Sequence, residues 1–154
     1  MKTKIRNAKA NEAQLLTALA MESKAYWGYP AEFMNKCLDE LTITEKKLSD
    51  AFLHYYVIEK NNTVLGFYAL ESLNHSKVEL EALFVYPKYM GRGYGKALIN
   101  HAKKLTIKLG AHTMLIQGEP NAAGFYQSVG AIKMGEKESG SISNRFLPIF
   151  EISV

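Results

Sequence analysis

Three glycines alternate in Met90-Gly91-Arg92-Gly93-Tyr94-Gly95-Lys96, between an apolar run ending Leu83-Phe84-Val85-Tyr86-Pro87 and a helical pattern. Glycine permits close backbone approach and dihedrals that other residues avoid. The N–H groups of such a loop can converge on phosphate oxygens, and a helix start adds positive partial charge. Two named phosphate loops are excluded. A P-loop has wider glycine spacing and ends Gly-Lys-Ser/Thr, whereas Lys96 is followed by Ala97. A dinucleotide fingerprint has its third glycine one residue later and follows the first strand of its fold. An anion cradle and a plain strand-to-helix turn remain, and the three glycines with Lys96 favour the cradle.

Other side chains have chemistry to offer. Glu79 and Glu81 precede the loop on the apolar run and share a face if that run is a regular strand. A bulge would change this, and exposed strand carboxylates would look the same. Trp27 and Tyr29 flank Gly28 where a helical pattern breaks before Pro30. Aromatics there can wall an amine site or pack helices onto a sheet; for Tyr26 packing is the preferred reading. Arg145 stands ready for a substrate carboxylate or for pairing with Glu136 or Glu138. His54, His75, His101 and His112 are scattered without ligand spacing, so no metal is expected. Cys37 falls on an apolar helix stripe and reads as a core residue.

The elements that must position these groups follow from periodicity. Lys2 to Asn7 is a short strand. A helix starts near Asn11 with Leu15, Leu16, Leu19 and Ala20 on one face, and a second follows Pro30 with Phe33, Met34, Cys37, Leu38 and Leu41. Leu53 to Lys60 and Thr63 to Leu70 flank Asn61-Asn62, residues that tolerate positive φ and suit a two-residue hairpin. Lys77 to Tyr86 continues the series as a third antiparallel strand. After Gly91 the period becomes helical through Leu98, Ile99, Ala102, Leu105 and Leu109, stopping at Gly110. Thr113 to Gln117 reads as a buried strand, Asn121 as the cap of a short helix ending at Gly130, and Ala131 to Lys137 and Arg145 to Ile152 as closing strands. One strand-helix-strand crossover after a hairpin series implies a three-layer α/β (α+β) domain.

The chain has 154 residues, 47% hydrophobic and 22% charged, which suits one globular domain over residues 1–154 and argues against disorder. No apolar run is long enough to span a bilayer, no secretory signal opens the chain, and the single Cys forms no internal disulfide. A cytoplasmic protein without a membrane partner is the expectation. The net charge of +4 is spread along the chain, with Lys103, Lys104 and Lys108 on a solvated helix face. No aromatic-interleaved basic patch occurs, so nucleic acid is not an expected partner.

These segments resemble the GNAT superfamily, the acetyl-CoA-dependent N-acetyltransferases. Its loop, Gln/Arg-x-x-Gly-x-Gly/Ala after Leu-x-Val-x-Pro, is matched by Leu83, Val85, Pro87, Gly93 and Gly95. Met90 takes the place of the preferred Gln or Arg, offering only its backbone N–H. Asn121-Ala122-Ala123-Gly124-Phe125-Tyr126-Gln127-Ser128-Val129-Gly130-Ala131 is similar to the family's stretch of an Asn, an Ala and then Phe-Tyr-x-x-x-Gly-Phe, with Gly124 in the Ala place and Ala131 in the last Phe place as departures. The resemblance implies a GNAT-like sandwich on a central mixed, mostly antiparallel sheet of about seven strands with about four helices. It also implies acetyl-CoA as co-substrate and, in some members, a homodimer.

The chemistry so implied is direct attack of an amine on the thioester. A free alkylamine has a pKa of about 10.4, so only about one molecule in 2,500 is neutral at pH 7. A base must take a proton, a donor must meet the developing oxyanion, and the departing thiolate needs a proton. By resemblance Glu81 is the candidate base and borders the acceptor, and Tyr126 is the candidate acid. The pantetheine arm would run beside Leu83, Phe84 and Val85 as an added strand, with an oxyanion donor near Val85. Residues Gly91, Arg92, Gly93, Tyr94, Gly95 and Lys96 would hold the pyrophosphate, and Asn121 would meet the pantetheine or cap its helix. Trp27 and Tyr29 would shape the acceptor pocket. The implied reaction is acetyl transfer to the primary amine of a small molecule. A protein or peptide acceptor and a non-catalytic acyl-CoA-binding module are the alternatives.

Overall fold

Side-chain alternation along the central strands sets the layers. In the computed structural model, which describes residues 2–154, the strands are β1 (Lys4–Asn7), β2 (Leu53–Lys60), β3 (Thr63–Ser72), β4 (Lys77–Val85), β5 (Thr113–Gln117), β6 (Ile132–Glu138) and β7 (Phe146–Ser153). The helices are α1 (Ala13–Ala25), α2 (Ala31–Leu41), α3 (Glu45–Leu48), α4 (Tyr94–Lys108) and α5 (Ala123–Ser128). One sheet runs β1-β2-β3-β4-β5-β7-β6. Among the described residues only the β4–β5 pair is parallel, and α4 forms the crossover between them.

On β3, Phe67 and Ala69 face Leu16, Leu19 and Ala20 of α1, whereas Tyr68 and Leu70 face Leu98, Ile99 and Ala102 of α4. All ten of these side chains are almost fully buried. Each large apolar one contributes roughly 1.5–3 kcal/mol by leaving water. The sheet is thus covered on both faces, which the three-layer expectation required. Asn61 and Asn62 have φ of 52° and 63°, the conformation a two-residue hairpin needs.

Several details differ from expectation. The first helix enters through a 3-10 turn at Ala10–Glu12 before Ala13. Helix α3 is not legible in the sequence, because four residues carry no readable period; it is started by the Thr44 hydroxyl accepting from the Lys47 N–H at 3.1 Å. Tyr26 is 56% exposed, so it does not pack the helices onto the sheet. Cys37 is buried as expected.

Candidate active site

Strands β4 and β5 pair only from Lys77–Thr113 to Leu80–Ile116. Beyond that, β4 stays on β3 as far as Gly66–Val85, and β5 leans onto β7 as far as Gln117–Ile149. The two strands therefore part, leaving one edge of residues 81–85 without a strand partner. A cavity of about 660 Å³ opens along this edge, within the range of small-molecule sites. Of the residues singled out by sequence, Trp27, Glu81, Leu83, Phe84, Val85, Gly91, Gly93, Tyr94, Gly95, Lys96, Asn121 and Tyr126 line it. Arg92 and Tyr29 do not. The Arg92 guanidinium instead lies 5.8 Å from the Tyr89 ring centroid.

A bulge places Glu81. Ala69 pairs with Ala82, but its neighbour Leu70 pairs with Leu80, so Glu81 is the extra residue of β4. The parity of the strand flips there. Val78 and Leu80 pack toward α4, as do Leu83 and Val85, while Ala82 and Phe84 pack toward α1. Glu81 opens to the cavity, and its carboxyl lies beside those of Glu79 and Glu71. Desolvation and these two neighbouring acids hold the Glu81 carboxyl well above the ordinary carboxylate range.

Tyr126 closes the other side. Its ring lies 5.6 Å from Phe150 and 5.3 Å from Phe125, centroid to centroid. Gly118 makes room for it: a Cβ there would stand 3.3 Å from Tyr126 Cε2 and 3.1 Å from Phe150 Cε2. No buried side-chain oxygen lacks a hydrogen-bond partner among the described residues, and the Tyr126 hydroxyl donates to none of them, so its oxygen opens on the cavity. Burial first, then the charge of Glu119, pushes the phenol further above its ordinary value. A phenol so placed keeps its proton at neutral pH and is able to donate it.

The loop glycines have separate reasons. Gly91 and Gly93 have φ of 77° and 86°, with Gly93 as the N-cap of α4. Gly95 has an ordinary φ, but a Cβ there would press on the Phe125 ring at 3.3 Å.

The remaining wall centres on Glu119. Its carboxylate accepts from the Tyr29 hydroxyl, from Asn121 Nδ2 at 2.7 Å, from Lys24 Nζ at 3.4 Å and from Arg145 Nη2 at 3.2 Å. These donors hold the Glu119 carboxyl below its ordinary pKa against the opposing effect of burial. Arg145 therefore pairs with Glu119 and not with Glu136 or Glu138; β6 lies on the sheet edge, and Glu136 pairs with Lys133 at 3.1 Å. Asn121 caps no helix: its side chain is drawn to Glu119 and Tyr29. Tyr29 stacks on Phe33 at 4.1 Å and supports the wall from behind. Lys24 and Glu119 had not been singled out by sequence. Both sit in stretches whose periodicity describes only their own element, and the contact between them spans 95 residues.

A family model for the acetyltransferase (GNAT) family matches residues 18–131. The chain is similar to the peptidyl-lysine N-acetyltransferase YiaC of Escherichia coli, with 30% identity over 131 residues, covering 82% of this chain and 81% of that protein. The fold is similar to that of the PaiA N-acetyltransferase from Thermoplasma acidophilum in complex with coenzyme A (TM-score 0.79, 22% identity, all of both chains). It is also similar to a GCN5-related N-acetyltransferase from Rhodopseudomonas palustris (TM-score 0.81, 20% identity, 100% of this chain and 97% of that one).

Proposed function

Because the chain belongs to the acetyltransferase (GNAT) family, we propose that it transfers an acetyl group from acetyl-CoA to the primary amine of a small molecule. The observation that carries this reading is the slot between the parted ends of β4 and β5, with Glu81 on one side and Tyr126 on the other. The co-substrate supplies an activated acyl thioester. The free backbone edge of Leu83, Phe84 and Val85 offers amides and carbonyls to the pantetheine arm. Gly91, Gly93 and the α4 N-terminus cradle the pyrophosphate, with Lys96 adding charge.

Glu81 takes the proton of the acceptor ammonium, directly or through water. A carboxyl with raised proton affinity does this better than an ordinary one, because its pKa lies nearer that of the amine. Glu79 and Glu71 sustain the shift by repulsion and attract the incoming cation. The neutral amine then attacks the thioester carbon; as the C–S bond breaks, the Tyr126 hydroxyl protonates the departing sulfur, and the phenolate recovers the proton that the new amide nitrogen gives up.

A second reading, acetylation of peptide lysines, is favoured by the similarity to the peptidyl-lysine enzyme. The small-molecule reading is supported by the acceptor end of the cavity, walled by Trp27 from the turn after α1 and by Arg145 before β7. Thiol release from acetyl-CoA, measured over a panel of small amines and lysine peptides, separates the two. Higher kcat/KM on a small amine supports the proposal. Turnover on peptides alone supports the second reading, and cofactor binding without any turnover refutes both.

A further inference from the structure

Two cations converge on one carboxylate in the acceptor wall. Lys24 and Arg145 both reach Glu119 Oε2, at 3.4 and 3.2 Å, and their side chains are only 14% and 16% exposed. Glu119 is already saturated by Tyr29 and Asn121 as well. Arg145 uses only Nη2, on Glu119 and on the Tyr29 hydroxyl at 2.8 Å. Its Nη1 and Nε donate to no protein acceptor among the described residues. The guanidinium lies 5.2 and 4.9 Å from the stacked Tyr29 and Phe33 rings, so its orientation is fixed before any ligand arrives.

One positive charge is thus left over in a mostly buried wall, with unused donors in a fork that matches a carboxylate. The phosphates of the co-substrate have their own cradle in the glycine loop. In the same cavity, Glu79 and Glu81 pair with no cation among the described residues. One wall is therefore cationic, while the β4 edge of the same cavity is acidic, Glu81 sharing the negative charge of its neighbours Glu79 and Glu71. The complement of that arrangement is a molecule carrying both an amine and an anion.

We propose that the acceptor is an amino carboxylate, its carboxylate held by Lys24 and Arg145 and its amine turned toward Glu79 and Glu81. This rests on the acetyl-transfer reading for the identity of the cavity, and it names the substrate class of that cavity. Glu119 holds the two cations apart and in place, and competes with the substrate for them.

The test is calorimetric binding to the protein saturated with coenzyme A, which cannot transfer an acyl group. The probes are the α-amino acids, β-alanine and 6-aminohexanoate, each beside its carboxamide, at pH 6.5 where the amines are mostly protonated. At least one carboxylate is expected to bind about 10–100-fold tighter than its amide, the worth of a hydrogen bond to a charged group. Lys24→Met and Arg145→Lys should erode that preference. Glu119→Gln should strengthen it, by removing the competitor while keeping an acceptor for Tyr29; a merely structural network would lose affinity instead. Equal binding of acids and amides, binding of neither, or a preference untouched in Lys24→Met and Arg145→Lys overturns the proposal. A preference seen without thiol release from acetyl-CoA leaves this assignment standing and removes the catalytic reading.

Discussion

Replacing Gly93 by alanine separates backbone strain in the glycine loop from strain elsewhere. Gly93 has φ +86° and Gly110, at the far end of α4, has φ +85°. An added Cβ meets nothing within 4 Å at either position, so the cost in both is dihedral strain alone. An L-residue in the left-handed region costs about 1–2 kcal/mol. Gly93 lines the cavity and is exposed, so an alanine in its place is expected to turn to negative φ while the site is empty. Relaxation turns its amide away from the phosphates, and binding must restore the strained form. Gly93→Ala should therefore weaken acetyl-CoA binding about 5–30-fold, the equivalent of 1–2 kcal/mol, with little change in the melting of the free protein. Gly110 terminates α4 away from the cavity, where the same cost falls on folding. Gly110→Ala should lower Tm by about 2–8 °C and leave the acetyl-CoA Kd unchanged. Calorimetric titration and thermal melts of both variants decide the matter. Equal affinity of Gly93→Ala and the parent protein would refute the claim that left-handed backbone at this loop holds the pyrophosphate.

The acid limb of the kcat/KM–pH profile should lie above the ordinary Glu range of about 4.3, because the working base exists only above its raised pKa. Glu79→Gln removes a neighbouring negative charge and should move that limb to lower pH, whereas a limb set by the amine's own titration would not move. Tyr126→Phe should lower kcat about 100–10,000-fold with a much smaller change in acetyl-CoA affinity; unchanged turnover would remove the phenol from the reaction. Gly66→Ala places a Cβ 2.6 Å from the Phe84 carbonyl oxygen and 3.2 Å from Val85 Cα, backbone atoms that cannot swing aside. Overpacking of about 1–3 kcal/mol should lower Tm by about 2–12 °C, and an unchanged melt would contradict the β3–β4 register.

Much of this frame is legible without coordinates. The unbroken apolar run from Val64 to Leu70 marks a strand, and the apolar face through Leu98, Ile99 and Ala102 marks the helix that returns the chain to the next strand. The glycine loop shows because its residue types have few other uses. The bulge at Glu81 does not show: it depends on one residue more in β4 than in the facing stretch of β3, and either strand alone reads as regular. The Glu119 wall is hidden for a different reason. Lys24, Tyr29, Glu119 and Arg145 come from α1, the turn before α2, the end of β5 and the approach to β7. Only the folded chain brings them within hydrogen-bond reach. Asn121 before a short helix has the right type for a cap, yet a charged acceptor nearby takes its side chain. Gly118 carries no local signature, because the rings it accommodates belong to Tyr126 and Phe150.

If the slot between β4 and β5, with its glycine loop, holds acetyl-CoA, thermal melting with and without acetyl-CoA will show it. At about 100-fold over Kd, linkage adds about 2.7 kcal/mol to a protein that binds only when folded. For a domain of this size that should raise Tm by roughly 5–10 °C. A rise of that order is the predicted result, and no rise at millimolar acetyl-CoA would contradict the account at its base.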